Sequence, residues 1–408
     1  MASEISPRPL PKKLGREVGF ISLGLILLAF QVARAGVPAG DRGFANLSNS
    51  VHPEKELTIL DLSVIDDPLR TLDPCVVGAE PLPPWSFGKI MQIVASQAGA
   101  ADASVFVKDW LDTWTREQVV NGHVLTPVGI DQFVTTPWLI ESGGERLDLA
   151  RARFRLLSIV NRIDFSERDG KGEFRIEYVA TKEFCVPMRF WVIFEFELPV
   201  ESSADLQALA RRWHELGGLP FGEDYNAALQ SITDVLSSAR LKHVNTLETE
   251  ASVLEWNYRS FALQGGSLVN VPLFQSPDVV DDGNPALIAW VNSNQEAILA
   301  DAHLVPEELL GGDTRNIDWT GAGFEDPFEV RHHFGLATCS GCHNGETGTD
   351  ATHTSWRHSG TRPELSAYMT GETIVDPGGQ VRTFNELQRR ASFLNELLKQ
   401  SGPANPPF

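Results

Sequence analysis

The chain has 408 residues, of which 42% are hydrophobic and 22% are charged, and this composition excludes an intrinsically disordered protein. Its 34 basic and 54 acidic side chains give a formal net charge of −20 at pH 7. Such an acidic surface repels nucleic acid and anionic lipid, so we expect no nucleic-acid partner. A protein partner would be cationic, unless the charge serves only to keep the chain soluble.

Residues 1–35 have the pattern of a secretory signal peptide. Basic residues from Lys12 to Arg16 precede a short apolar run over residues 20–30, and Ala33-Arg34-Ala35 matches a cleavage site. The alternative is an uncleaved membrane anchor, but the run is shorter than the roughly 20 residues that a spanning helix needs. We therefore expect a periplasmic or extracellular mature protein without a membrane span.

Regular hydrophobic patterns begin after this segment. Residues 58–64 read as a strand, and residues 87–97 and 104–115 have the spacing of helices. Residues 174–179 follow a glycine-containing turn, and residues 190–198 alternate so that one face is wholly apolar. Both of these segments are predicted strands.

A capped helix follows the predicted strands. Ser202 provides its N-cap, and Gly217 and Gly218 end it. Further strand patterns cover residues 253–263 and 268–274, and helical patterns cover residues 284–299 and 384–400. This mixture of hairpin strands and helices predicts an α+β fold.

A glycine-rich stretch over residues 311–323 predicts a boundary between two parts of the chain. We expect a larger domain of unknown role over residues 36–320, built from antiparallel strands and helices. A small, mainly helical region would then cover residues 321–408.

The chain has four cysteines, and two of them, Cys75 and Cys185, stand alone in the sequence. In an exported protein they can form a disulfide, which would stabilise the fold by about 4 kcal/mol through the large loop it closes. The alternative is a pair of buried free thiols, and the sequence leaves both open.

The most informative stretch is Cys339-Ser340-Gly341-Cys342-His343, a C-x-x-C-H motif. In an exported protein this motif attaches a c-type haem. Residues i, i+3 and i+4 share one face of a helical turn, so both thiols can meet the two vinyl groups of one porphyrin. The motif predicts thioether bonds from Cys339 and Cys342, with His343 as an axial ligand of the iron.

The opposite axial position needs a histidine, a methionine or a vacancy. Five of the ten histidines lie within one 27-residue window that contains the motif. We expect His353 in this role, because the polar loop over residues 345–349 can fold the chain back over the iron. Met369 is the second choice, since a methionine beyond the histidine follows the arrangement of small cytochromes. The remaining candidates are His332, His333 and His358.

Two other chemistries compete for the same cysteines. Cys339, Cys342, His343 and a second histidine could bind a structural zinc, although zinc sites usually have a longer segment between their cysteine and histidine pairs. Cys339 and Cys342 could also form a redox disulfide, although no thioredoxin-like βαβ pattern surrounds them.

The motif resembles the haem-attachment site of c-type cytochromes, and this resemblance covers about the last fifth of the chain. It implies a covalently bound haem c. The residues Arg331-His332, Cys339 to His343, Glu346-Thr347 and His353 are also similar to a group of secreted bacterial proteins of uncharacterised function. The segment over residues 154–162 is similar to part of the same group, which implies secretion and no particular activity.

No G-x-S-x-G elbow, H-E-x-x-H helix, P-loop or dinucleotide fingerprint occurs in the sequence. The sequence therefore favours a secreted c-type haem protein that transfers electrons to or from a redox partner protein. The main alternative is a secreted binding or structural protein whose cysteine-histidine cluster holds zinc or a disulfide. A haem-based gas or redox sensor is a third possibility, favoured by an open sixth position.

Overall fold

A computed structural model of the chain describes residues 50–76, 81–249, 256–315 and 318–400. The predicted signal peptide over residues 1–35 lies outside the described residues. Within these residues the chain forms twelve strands. In chain order they are β1 (Thr58–Ile59), β2 (Gln118–Val120), β3 (His123–Leu125), β4 (Phe154–Arg162), β5 (Glu173–Thr181), β6 (Pro187–Glu197), β7 (Leu241–Thr249), β8 (Trp256–Gln264), β9 (Ser267–Val271), β10 (Asp313–Arg315), β11 (Glu372–Val375) and β12 (Val381–Phe384).

The same residues form fourteen α-helices, several of them a single turn long. In chain order they are α1 (Pro53–Glu56), α2 (Leu62–Ile65), α3 (Phe87–Gln97), α4 (Ala103–Leu111), α5 (Thr135–Glu141), α6 (Ser166–Asp169), α7 (Ser203–Gly217), α8 (Glu223–Thr233), α9 (Pro285–Ser293), α10 (Gln295–Leu299), α11 (Glu329–Ala337), α12 (Cys339–Cys342), α13 (Ala367–Thr370) and α14 (Glu386–Gln400).

One antiparallel sheet organises the fold. Its strands lie in the order β1-β4-β5-β6-β7-β8-β10, and β9 also pairs with β8. Two separate hairpins, β2–β3 and β11–β12, lie outside this sheet. Helices and antiparallel strands are thus combined in one fold, and the predicted α+β class is confirmed.

The alternating pattern of β6 divides the sheet into two faces. Phe190, Val192, Phe194 and Phe196 point into the main core, where the apolar stripes of α3, α4, α7 and α8 also lie. Trp191 points to the opposite face. There it joins a smaller apolar cluster made of Leu157, Val179, Trp191, Leu247, Tyr258 and Leu273. We call this second surface the motif face, because Cys339 packs against it.

Segments from the C-terminal part of the chain cover the motif face. The Nε1 atom of Trp191 donates a hydrogen bond to the Thr354 carbonyl at 3.2 Å. The buried Arg357 donates from Nε to the Leu156 carbonyl at 2.9 Å. The predicted boundary near residue 320 stays a prediction, because parts that pack this closely can still be separate folding units.

Cys75 and Cys185 form a disulfide, with their Cα atoms 5.6 Å apart. The bridge ties the segment after α2 to the loop between β5 and β6. Of the two alternatives that the sequence left open, the structure has the bridge. Among the described residues, no helix is both long enough and apolar enough to cross a membrane.

Candidate functional site

The two cysteines of the C-x-x-C-H motif lie on a single helical turn, α12, as the spacing predicts, and His343 is the C-cap of this turn. Thr338 caps this turn, because its hydroxyl accepts a hydrogen bond from the Gly341 N–H at 3.1 Å. The Ser276 hydroxyl accepts from the Cys339 N–H at 2.8 Å. Both contacts satisfy N–H groups that a helix start leaves without partners, so the turn is held by its own N-cap and by the distant residue Ser276.

Gly341 lies where α12 meets the end of α11. A Cβ atom at this position would lie 2.1 Å from the Gly335 carbonyl oxygen, so no side chain fits between the two helices. Trp319 supports the same junction, since its Nε1 atom lies 3.0 Å from the hydroxyls of both Thr338 and Ser340. The glycine between the two cysteines is therefore required by packing.

Both cysteines of the motif are free thiols. Burial raises the pKa of Cys342 to about 12, and burial also raises the pKa of Cys339. The two side chains are therefore neutral at pH 7 and are not activated thiolates. This argues against a cysteine nucleophile at this position.

His343 is oriented by Ala351. The Nδ1 atom of His343 lies 2.8 Å from the Ala351 carbonyl, which can only accept, so Nδ1 carries the proton and Nε2 has a free lone pair. Burial lowers the pKa of His343 to about 4, which keeps the imidazole neutral. A neutral imidazole fixed by a backbone carbonyl is the form that binds a metal through its other nitrogen.

His353 lies against the motif. Its ring centre is 4.2 Å from that of His343, its Nε2 atom is 3.5 Å from the Cys342 sulfur, and its Nδ1 atom is 3.3 Å from the Ser366 hydroxyl. Burial lowers the pKa of His353 well below its usual value, and nearby positive groups lower it further. The chain thus returns to the motif at His353, which contacts Cys342.

The distance between the two imidazoles limits what His353 can do from this position. Two imidazoles on opposite sides of an iron keep their ring centres about 6 Å apart, given metal–nitrogen bonds of about 2 Å. The observed 4.2 Å leaves no room for a porphyrin between His343 and His353. Ligation by His353 stays a prediction, and it requires this ring to move.

Met369 lies in the main core, where it is 3% exposed. Its sulfur is 3.9 Å from the Nη2 atom of Arg390. The preceding residue, Tyr368, is the one that stacks on His353, with ring centres 5.0 Å apart. A methionine ligand stays a prediction as well, and it would need this buried side chain to leave its core position.

The other candidate histidines have partners elsewhere. His332 is buried and binds the Glu346 carboxylate through Nδ1 at 2.6 Å. His333 binds Asp301 at 3.0 Å. His358 is exposed, and its ring packs on Trp356.

Charged residues beside the motif are the part of the site that sequence reasoning missed. Arg175 pairs with Glu195 at 2.7 Å, and Arg390 pairs with Glu386 at 2.8 Å. The charges of Glu386 and Arg390 act on the pKa of Cys342, although burial has the larger effect. The sequence showed only that Arg175 and Glu195 belong to predicted strands and that Glu386 and Arg390 belong to an amphipathic helix. Such a pattern does not show that these charged residues lie beside the motif.

Three potential metal-ligand atoms lie within 4.8 Å of one another at only one place among the described residues, at His332, Glu346 and Asp376. Two arginines neutralise these carboxylates. Arg331 lies 3.1 Å and Arg382 lies 2.8 Å from Asp376, and Arg331 also binds Glu346. This cluster is an ion-pair clamp that joins α11, the loop after the motif and the β11–β12 hairpin. It balances its own charge without a metal.

Comparisons with known proteins give no match for this chain, whether to a protein-family model, to a curated protein or to a solved structure. The resemblance to c-type cytochromes therefore rests on the motif residues alone. The function has to be inferred from the geometry of the site.

Proposed function

We propose that this chain is an exported c-type haem protein that transfers electrons, with haem attached to Cys339 and Cys342 and with His343 as an axial ligand. The observation that carries the proposal is the state of His343. Its Nδ1 atom donates to the Ala351 carbonyl, and its Nε2 atom has no hydrogen-bond partner in the described part of the chain, at the C-cap of the helical turn that carries the two thiols.

The residues present fit covalent attachment in three respects. The thiols are reduced, they are three positions apart on one turn, and they adjoin an imidazole whose remaining nitrogen is a lone-pair donor. A bound haem would supply one-electron chemistry at its iron. The protein would supply His343 as the axial ligand and the Ala351 carbonyl that orients its ring through a hydrogen bond. It would also supply a largely dry environment.

The motif face supplies that dry environment. Tyr258 packs on His343 with ring centres 5.2 Å apart, and Cys339 contacts the apolar cluster around Trp191. Burial of a haem iron and the hydrogen bonds around its ligands set its reduction potential. This face of the sheet would therefore form one side of the haem site. It would keep the iron in the same apolar surroundings in both oxidation states.

The compartment and the partner follow from the same proposal. The Cys75–Cys185 disulfide supports an oxidising compartment, where such bonds persist, and this agrees with a signal peptide at residues 1–35. The formal net charge of −20 favours a cationic redox partner, whose approach it would accelerate at low salt.

The test is the amount of covalently bound haem in the denatured protein. The precursor is produced with a haem-maturation system, unfolded, washed free of loose haem, and its absorbance is recorded. We expect about one haem per chain in the parent protein and none in Cys339→Ser/Cys342→Ser. The matched control is Cys75→Ser/Cys185→Ser, which removes the same number of cysteines, the two of the disulfide, and should keep the haem.

A colourless parent protein would refute the haem proposal. One observation then favours a second candidate, a zinc site that uses Cys342 and His353. The 3.5 Å between their Sγ and Nε2 atoms is about the separation of two ligands around a tetrahedral zinc with bonds of about 2.3 and 2.0 Å. One zinc per colourless chain, lost in Cys342→Ser, would establish that function instead.

A further inference from the structure

His303 is a buried histidine whose ring lies beside Trp290, with ring centres 6.0 Å apart, and whose ring nitrogens are unused in the described part of the chain. His303 is 5% exposed, and neither of its ring nitrogens has a hydrogen-bond partner among the described residues. A neutral imidazole has one N–H donor and one lone pair, and leaving each of them buried without a partner costs about 1–3 kcal/mol. Native proteins satisfy almost all such groups, so an orphaned histidine calls for a ligand.

The backbone around His303 is held in place. The buried Gln275 donates from its side-chain amide to the His303 carbonyl and accepts from the Val305 N–H at 2.7 Å. These two contacts fix the backbone from the His303 carbonyl to the Val305 N–H. The imidazole is thus presented from a defined position, while its own nitrogens stay unused.

A carboxylate two residues before His303 in the chain contacts a second imidazole. His333, on α11, binds the Asp301 carboxylate through Nδ1 at 3.0 Å, so its Nε2 atom remains available. Asp301 is two residues from His303 in the chain. The Asp301–His333 pair therefore adjoins the chain segment that carries His303.

We propose that His303, His333 and Asp301 form a binding site for a zinc ion, separate from the C-x-x-C-H motif. Two imidazoles and one carboxylate form a donor set that zinc binds in proteins. The metal would take a lone pair of His303, and the Asp301 carboxylate would hold the ion against both rings. This site does not depend on the proposed haem.

The three side chains have to close around the ion. In the described part of the chain, their ligand atoms are not gathered as tightly as those of His332, Glu346 and Asp376. The side chains of Asp301 and His333 are 69% and 27% exposed, so both can rotate towards the fixed His303. Zinc binding would therefore replace the His333–Asp301 hydrogen bond with two metal bonds.

The test is a calorimetric titration of the chelator-treated full chain with Zn²⁺. We expect one ion per chain, and at least a tenfold weaker affinity in His303→Ala, His333→Ala and Asp301→Asn. The last two residues are exposed enough that their variants should fold even if His303→Ala does not. His123→Ala is the matched control, because His123 forms a similar pair with Asp278 at 3.1 Å and should leave zinc binding unchanged.

Two results would overturn the proposal. Equal zinc affinity in the parent, His333→Ala and Asp301→Asn proteins would show that these residues do not bind the ion. Loss of zinc in Glu346→Gln or Cys342→Ser, with retention in Asp301→Asn, would place the ion at the clamp or at the cysteine motif. The haem assay reads covalent colour and the titration reads zinc, so either proposal can fail alone.

Discussion

His343 and Ala351 are joined by two hydrogen bonds that run in opposite directions. The Nδ1 atom of His343 donates to the Ala351 carbonyl at 2.8 Å, and the Ala351 N–H donates to the His343 carbonyl at 3.1 Å. Ala351 is fully buried and has φ of 62°, a left-handed conformation that is uncommon for residues other than glycine. The unusual backbone at Ala351 is thus what aims its carbonyl at the imidazole.

This relationship predicts a strict size limit at position 351. Ala351→Val adds two methyl groups at a buried site and places a β-branched residue in a left-handed conformation, so we expect a loss of about 2–4 kcal/mol in unfolding free energy. Ala351→Gly tolerates the same backbone and should lose less than about 1 kcal/mol. Urea unfolding of the two variants checks this. A valine variant as stable as the glycine variant would mean that the loop adopts another backbone.

The close contact between α11 and α12 gives a second prediction. Gly341→Ala would place a Cβ atom 2.1 Å from the Gly335 carbonyl, so the two helices must separate, at a cost of about 1–3 kcal/mol. Gly218→Ala is the matched control, because the nearest atom to its Cβ would lie at 3.6 Å, in ordinary contact. We expect the control to stay within about 0.5 kcal/mol of the parent protein. Chemical denaturation gives the unfolding free energy of each variant. An equal loss in Gly341→Ala and Gly218→Ala would contradict the prediction.

The ion-pair clamp around Glu346 gives a third prediction. Glu346 is fully buried and binds both Arg331 and His332. Glu346→Gln keeps the shape but leaves the buried Arg331 with less compensating charge, so we expect a loss of about 3–5 kcal/mol. Glu364→Gln removes a charge from an exposed side chain and should change stability by less than about 0.5 kcal/mol. A small effect at Glu346 in thermal unfolding would show that the clamp does not hold the motif.

Much of the fold could be predicted from periodicity. The helix predicted over residues 87–97 has those bounds as α3, and the alternation over residues 190–198 marks β6. The predicted strand over residues 58–64 is wrong beyond Ile59, because Asp61 caps the short helix α2. The strand β4 had no helical or alternating signal, since every one of its residues is buried and both of its faces are covered.

The site could be predicted only in its local part. The spacing of Cys339, Cys342 and His343 shows that they share one turn, because the geometry of a helix is fixed over such short distances. Ala351, which orients His343, carries no signal, since it acts through a backbone carbonyl. The pairing of Arg175 with Glu195 depends on the register of β5 against β6, which no local pattern shows.

The Cys75–Cys185 disulfide gives a fourth prediction. The bridge joins residues 110 positions apart, and closing so large a loop restricts the unfolded chain by about 4–5 kcal/mol on the chain-entropy model. We expect reductant to lower the unfolding free energy of the parent protein by about 2–5 kcal/mol. Cys75→Ser/Cys185→Ser should begin at the lower stability and should not respond to reductant. If reductant lowered the unfolding free energy equally in the parent protein and in Cys75→Ser/Cys185→Ser, the loss would have to come from Cys339 and Cys342.

The pair of His214 and Glu56 gives a prediction about pH. The Nδ1 atom of His214 lies 2.9 Å from the carboxylate of Glu56, a fully buried residue, and this hydrogen bond raises the pKa of His214. A histidine whose pKa is higher in the folded state binds its proton more tightly there, so protonation favours folding. The added stability is fully present below the unfolded pKa of about 6.5, and it is lost as pH rises through the folded value.

Unfolding free energies measured from pH 5 to pH 9 test this sign. The difference between the parent protein and His214→Gln isolates the pair, because every other titrating group is common to both. We expect this difference to be largest at the acidic end and to shrink above about pH 6.5, since the glutamine keeps a hydrogen bond but binds no proton. A difference that grows with rising pH would mean that folding lowers the pKa of His214 and that the hydrogen bond to Glu56 does not favour the charged imidazole.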